Sequence, residues 1–283
     1  RFDPAFLMNN DIWREQRQAE LLQPDGWTSL IGLHWLELKA HYIGSGSTSG
    51  IRLAMGPPRL GMVVHEAGRY WFTPERGVAV QVDGKPVKGR IPFHADDEPS
   101  PTMITFDGGK GTLSLIHRGP RHALRVRHAD APARAHFGHL EYWPADASWR
   151  ITARFMPHDA GKTLPVVDIT GLTTEQANAG AIEFERDGRT WRLEALGEPG
   201  RPLFVIFADR TSGHGSYAAG RYIDLETPDD KSQVVIDFNR AYNPPCAFTP
   251  FATCPLPPPE NRLDLPVEAG EKAYVKPAQE DAT

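Results

Sequence analysis

The residues best suited to chemistry lie in one short segment near the C-terminus. The sequence DFNRAYNPPC occupies residues 237–246, and Cys254 follows eight residues later at the start of a proline-rich run. Prolines restrict the backbone and lack an N–H group, so a segment rich in proline holds its polar side chains in fixed positions. This combination predicts a functional site in the segment.

Asp237, Asn239 and Asn243 are the candidate site residues of this segment. Asp237 and Asn239 alternate with Phe238, which predicts that they face the same side of a strand. The asparagines can bind a ligand through their amide groups, and Asp237 can act as a catalytic base or orient a neighbour. In an alternative interpretation, the amides satisfy backbone groups that the prolines leave unpaired.

A second polar cluster follows the apolar run at residues 203–207. Its candidate residues are Asp209, Thr211, Ser212, His214, Tyr217 and Arg221. A loop between two strands can direct such groups toward one point. Arg221 can hold a carboxylate or phosphate through two hydrogen bonds, and Asp209 can serve as acid or base. Alternatively, Asp209 and Arg221 form a structural ion pair while Thr211 and Ser212 stabilise a turn.

Cys246 and Cys254 are the two cysteines of the chain, and a structural or a redox role fits both. They can form a disulfide or stay buried as thiols, and a thiolate can be a nucleophile if a base such as His214 lies nearby. Ser212 and Ser216 are alternative nucleophiles beside His214. The cysteine spacing differs from that of structural zinc sites, and the HExxH, Walker A, GxGxxG and GxSxG motifs are absent, so we expect no metal and no cofactor.

The chain resembles a widespread prokaryotic family that is classified only as a domain of unknown function. The resemblance rests mainly on DFNRAYNPPC at residues 237–246, CPLPPPENRL at 254–263 and FADRTSG at 207–213. Tyr217 and the sequence GRY at 220–222 continue the pattern. The resemblance implies a shared domain but supplies no activity.

The first half of the chain resembles the β-sandwich of forkhead-associated domains. The resemblance rests on YIGS at residues 42–45, IRL at 51–53 and VDGKPV at 82–87. Phosphothreonine-binding members of that fold carry an arginine where Ser45 stands, and here Asp83 precedes the later glycine. The resemblance therefore implies the fold, and we do not expect phosphopeptide binding.

Length and composition indicate a soluble globular protein. The chain has 283 residues, 40% hydrophobic content and a formal net charge of −5, which argues against a nucleic-acid partner. Its apolar runs are shorter than the roughly 18–20 residues of a membrane helix, so we expect no membrane partner. The chain begins at Arg1 rather than at methionine, which indicates that a start or leader segment was removed. Cytoplasmic and exported locations both fit.

These patterns together predict a mostly β protein. We expect an N-terminal helical segment at residues 1–26, a forkhead-associated-like β-sandwich at 27–127 and a second antiparallel β unit at 128–283. The helix is expected to start at a cap at residues 9–11 and to bury Ile12, Ala19 and Leu22.

The favoured function is binding, with or without turnover, of a small polar or anionic molecule. Its pocket would be formed by the loop at residues 209–221 and the segment at 237–246. Two alternatives stay open, a hydrolase with a Cys or Ser nucleophile and a non-catalytic protein-interaction module.

Overall fold

The computed structural model describes residues 3–277, and β-strands dominate it. The mostly β fold class and the helix near the N-terminus are confirmed. The chain forms two compact units, one at Glu20–Phe137 and one that joins Gly138 and the following residues to the start of the chain up to Ala19. The domain boundaries at residues 26 and 127 stay a prediction. None of the helices within residues 3–277 is long and apolar enough to span a membrane.

Helix α1 spans Pro4–Leu21 and begins earlier than the sequence indicated. The side chain of Asp3 accepts a hydrogen bond from the backbone N–H of Phe6 at 3.2 Å, so Asp3 caps the first turn and the expected cap at residues 9–11 is wrong. The expected apolar face is also wrong, because Ile12 is 48% exposed whereas Asn10 is buried. The packed face of α1 is therefore mixed, because Asn10, Arg14 and Arg17 share it with apolar side chains.

The unit Glu20–Phe137 consists of two β-sheets and a short helix. Its elements in chain order are β1 (Leu30–Trp35), β2 (Ala40–Gly44), β3 (Ile51–Arg52), β4 (Gly61–Glu66), β5 (Arg69–Pro74), β6 (Gln81–Val82), β7 (Lys85–Pro86), β8 (Ile91–Pro92), β9 (Met103–Phe106), β10 (Gly111–Arg118), β11 (Arg121–His128) and α2 (Pro132–Ala135). One sheet has the order β1-β11-β10-β9-β6-β7 and the other β3-β2-β4-β5-β8. Phe72 and Ile104, one from each sheet, are fully buried in the same core. Two sheets that share a core fit a β-sandwich, while the forkhead-associated resemblance stays a prediction.

The C-terminal unit is built on one large antiparallel sheet. Its strands are β12 (Arg150–Pro157), β13 (Thr163–Val167), β14 (Thr173–Arg186), β15 (Arg189–Leu196), β16 (Leu203–Phe207), β17 (Arg221–Leu225) and β18 (Gln233–Asp237). The sheet order is β17-β16-β15-β14-β12-β18, and β13 pairs with β14. The two end strands β17 and β18 also contact each other, so the sheet is nearly closed and barrel-like.

Phe238 fixes the hallmark segment, residues 237–246, to the core of this unit. Its ring lies 5.4 Å from the rings of Trp149 and Phe184 and 5.6 Å from the ring of Phe207, measured between centroids. Aromatic side chains contribute large buried areas, and edge-on pairs add further stabilisation. The side chains that flank Phe238 are therefore held at fixed positions on the edge of the barrel-like sheet.

Candidate functional site

Arg221 and Asp209 form a buried ion pair in the C-terminal unit. Both side chains are fully shielded from solvent, and Arg221 Nη2 lies 3.4 Å from Asp209 Oδ1. The guanidinium also donates to the backbone carbonyls of Val267 (3.1 Å), Ala269 and Glu271 (3.2 Å). Burial lowers the pKa of Arg221, and the Asp209 carboxylate opposes that shift. The guanidinium holds the chain near residues 267–271, which favours the structural interpretation over the anchoring of an anionic ligand.

Asp209 organises the loop that follows β16. Its Oδ2 accepts hydrogen bonds from the backbone and the hydroxyl of Thr211 at 3.1 and 2.8 Å and from the backbone of Val267 at 2.7 Å. Ser212 accepts a hydrogen bond from the Asp209 backbone at 3.2 Å. A buried carboxylate whose two oxygens accept hydrogen bonds from several parts of the chain serves as a brace for this loop.

Within residues 3–277, the potential nucleophiles of this loop have no histidine as a base. Ser216 is buried, and its hydroxyl lies 2.7 Å from that of Thr211 and accepts from Trp143 Nε1 at 3.0 Å. His214 is exposed, and within the described chain its ring forms no hydrogen bond with Ser212, Ser216 or Cys246. This geometry does not favour the hydrolase alternative, which requires the base within hydrogen-bonding reach of the nucleophile.

The asparagines of the hallmark segment bind backbone. Strand β18 ends at Asp237, and Phe238–Arg240 form a 3-10 helix, so the prediction that Asn239 continues the strand is wrong. Asn239 is fully buried, donates to the carbonyl of Asp146 at 2.8 Å and accepts from its N–H at 3.0 Å. Asn243 is also buried and donates to the carbonyl of Lys272 at 2.9 Å. Both amides fit the bracing interpretation.

Arg17 of helix α1 completes a second buried ion pair. Its Nε lies 2.7 Å from Glu271 Oε2, and Glu271 is fully buried. Glu271 Oε1 accepts from the backbone N–H of Asn243 at 3.0 Å, and Arg17 donates to the Asn243 carbonyl at 3.0 Å. Sequence reasoning missed Arg17 and the role of Glu271, because their pairing joins opposite ends of the chain.

Asp237 lies at a groove that we call the Asp237 groove, defined by Arg150, Asp237 and Arg240. Two cavities of about 380 and 410 Å³ share these three residues. The Asp237 carboxylate accepts from the backbone and the side chain of Asn239 at 3.0 and 2.9 Å, and its Oδ2 lies 3.7 Å from Arg240 Nε. Arg150 and Arg240 were not singled out in the sequence, although Arg240 lies within the hallmark segment.

The charged side chains among the remaining lining residues are all acidic. The first cavity adds Asp3, Ala5, Phe6, Asn9, Asn10 and Ala147. The second adds Asp224, Glu226, Thr227, Asp229, Gln233, Val234 and Val235. Neither of these cavities is lined by the loop at residues 209–221, so the two predicted parts of the pocket do not meet there.

Cys246 and Cys254 are neighbouring free thiols. The backbone N–H of Cys246 lies 3.1 Å from Cys254 Sγ, and the hydroxyl of Tyr217 lies 3.5 Å from Cys246 Sγ. Cys246 is half-buried and Cys254 is buried. The ligand-binding role predicted for Tyr217 is untested, but the structure brings its hydroxyl to the cysteine pair.

The comparisons with known proteins show a similarity to one family and supply no activity. Residues 135–272 match the family described as Protein of unknown function (DUF1684). The solution NMR structure of an uncharacterized protein from Haloarcula marismortui is 34% identical, with 49% of this chain and 78% of that chain covered and a TM-score of 0.41. No curated protein matches the chain. Residues 135–272, just under half of the chain, are therefore similar to this family of unknown function.

Proposed function

We propose that the C-terminal unit binds a small polar molecule with an anionic group in the Asp237 groove. The observation that carries the proposal is that two cavities, of about 380 and 410 Å³, meet at Arg150, Asp237 and Arg240. Cavities of some hundreds of Å³ with a few convergent polar groups are the usual setting of small-molecule sites.

The two arginines supply the anion-binding groups. Arg150 is exposed, and among the residues described none forms a hydrogen bond or an ion pair with its guanidinium. Arg240 is 45% exposed, and it forms an ion pair with Asp237 at 3.7 Å that is too long for a hydrogen bond. A guanidinium can bind a carboxylate or phosphate through two hydrogen bonds. Arg150 and Arg240 thus take the anchoring role that the sequence suggested for Arg221.

The acidic side of the groove narrows the class of ligand. Asp224, Glu226 and Asp229 line the second cavity together with Asp237. Carboxylates attract a cationic or hydrogen-bond-donating group, so the charge distribution favours a ligand that carries both charges. If the molecule is also turned over, Asp237 is the candidate acid or base, because Asn239 fixes its carboxylate at the cavity wall.

The test compares two arginines on the same strand. Arg150→Ala removes a groove residue, whereas Arg154→Ala removes an arginine that lies four positions further along β12 and pairs with Glu183. The probes are inorganic phosphate and L-glutamate, and the measurement is the shift of backbone amide NMR signals at residues 237–240.

We expect at least one probe to shift these signals in the wild-type protein and in Arg154→Ala. Binding by Arg150→Ala should be about tenfold weaker, which corresponds to about 1.4 kcal/mol. The proposal is wrong if neither probe shifts the signals, or if the two variants lose affinity equally.

A further inference from the structure

We infer that Cys246 and Cys254 form a peroxide-reactive dithiol, in which Cys246 is the nucleophile and Cys254 is the thiol that resolves the oxidised intermediate. This site is separate from the Asp237 groove, because neither cysteine lines its cavities. The substrate class is a small hydroperoxide, which can reach a half-buried sulfur.

The backbone places the two sulfurs within reach of each other. The N–H of Cys246 is 3.1 Å from Cys254 Sγ, so this sulfur lies at most about 4.6 Å from the Cys246 Cα once one N–Cα bond is included. Disulfide formation at such a separation requires side-chain rotation more than backbone movement. Pro244, Pro245 and Pro255 restrict the flanking backbone and preserve this arrangement.

The surroundings make the two sulfurs chemically unequal. Cys246 receives the hydrogen bond from the Tyr217 hydroxyl at 3.5 Å, whereas Cys254 is 4% exposed. The neighbouring Cys254 thiol lowers the pKa of Cys246 to about 7, burial opposes this shift, and the hydrogen bond from Tyr217 reinforces it. The neighbouring Cys246 sulfur and burial raise the pKa of Cys254. One thiolate beside one protonated thiol is the arrangement that a two-step oxidation requires.

The reaction balances with one peroxide and two thiols. The Cys246 thiolate attacks one peroxide oxygen, the O–O bond breaks, and the leaving hydroxide or alkoxide takes up a proton from water. The resulting sulfenic acid then reacts with Cys254. The S–S bond forms, the S–O bond breaks, and the hydroxyl group leaves as water with the proton of the Cys254 thiol. Two electrons pass from the thiols to the peroxide.

A structural pair of thiols and a metal site are the competing interpretations. Within residues 3–277, no group of three His, Cys, Asp or Glu side chains is placed to hold a metal ion, so no further ligand of these types joins the two sulfurs. A purely structural pair would not need Tyr217 to face the more accessible sulfur. Reactivity at Cys246 therefore separates the dithiol from a structural role.

The first experiment treats the full, reduced chain with equimolar hydrogen peroxide in the presence and absence of dimedone. We expect the wild-type protein to fall about two mass units below its reduced mass, with the bond mapped to Cys246 and Cys254 in peptides. Cys254→Ser should instead accumulate a dimedone adduct at Cys246, and Cys246→Ser should give neither product.

The second experiment tests the hydrogen bond to Cys246. The pH at which iodoacetamide modification of Cys246 is half-maximal should lie near 7 in the wild-type protein and should rise in Tyr217→Phe. Tyr242→Phe is the matched control, because the Tyr242 hydroxyl bonds to Asp224 at 3.0 Å and should leave this midpoint unchanged.

Three results would overturn the inference. They are an unmodified Cys246 in wild-type peptides after peroxide treatment, a wild-type midpoint near the ordinary thiol value of about 8.5, and an equal midpoint in Tyr217→Phe and the wild-type protein. Because the first two readouts use the wild-type chain, they stand even if a cysteine variant fails to fold.

Discussion

Replacement of Arg221 by methionine should strongly destabilise the C-terminal unit. Methionine fills much of the space of the arginine stem but leaves Asp209 as a buried carboxylate without its cation. The loss of one partner from a buried ion pair costs about 3–5 kcal/mol. The carbonyls of Val267, Ala269 and Glu271 lose their donors as well, so we expect the upper part of that range.

Urea unfolding of the full chain measures this effect. With a urea dependence of about 2.5 kcal/mol per molar, a loss of 4 kcal/mol moves the unfolding midpoint down by about 1.6 M. Asp209→Asn in the Arg221→Met background should cost less than the sum of the two single changes, because the buried charge is then absent. Arg221→Lys should restore the charge but not the fork that holds three carbonyls.

A small effect would refute the reasoning. If Arg221→Met changed the free energy of unfolding by less than about 1 kcal/mol, the guanidinium would not be the brace of residues 267–271. If Arg221→Met also abolished the binding of phosphate at unchanged stability, the anchoring role predicted from the sequence would be restored and the Asp237 groove would lose its support.

Two further outcomes follow from the geometry. Burial and the adjacent His117 lower the pKa of His122 in the folded protein. The stability that the neutral imidazole contributes is therefore present above the unfolded pKa of about 6.5 and is lost as the pH falls below it. His122→Gln should make the free energy of unfolding depend less on pH between about pH 7 and 5. Gly220 has φ +100°, and an added Cβ would lie 2.6 Å from the Phe207 carbonyl oxygen, whereas at Gly213 the nearest contact would be 3.8 Å. Gly220→Ala should therefore lower the melting temperature more than Gly213→Ala. For Gly213→Ala we expect a loss of about 1–2 kcal/mol, from the positive φ alone.

The elements that depend on local signals could be predicted from the sequence. Asp-Gly is a strong hairpin signal in a sequence, and the pairs at 83–84 and 187–188 both have positive φ between paired strands. These turns are predictable because the geometry of a two-residue hairpin requires positive φ, which glycine and aspartate tolerate. The fold class follows from many such signals along the chain.

The packed face of α1 could not be predicted in the same way. Apolar periodicity does not mark this face, because Arg17 is held by Glu271, a residue 254 positions away along the chain. A buried charge on a helix looks like a solvent-facing one until its partner is known. Arg221 and Asp209 presented the same difficulty at shorter range, and the sequence allowed both a pair and a ligand site.

Some residues of the hallmark segment are buried and support the backbone, whereas others are accessible to solvent. Phe238, Asn239 and Asn243 are buried, and both asparagines bind the backbone of other segments. Asp237 and Cys246 are half-buried, and Arg240 is exposed.

The prolines of the hallmark segment explain why its backbone needs support from buried side chains. A segment rich in proline gives up backbone donors, so side-chain amides must hold it in place. The residues that then remain accessible gain fixed positions, which both a binding groove and a reactive thiol require. Bracing and function are therefore not alternatives for this segment, because the braces determine where Asp237, Arg240 and Cys246 point.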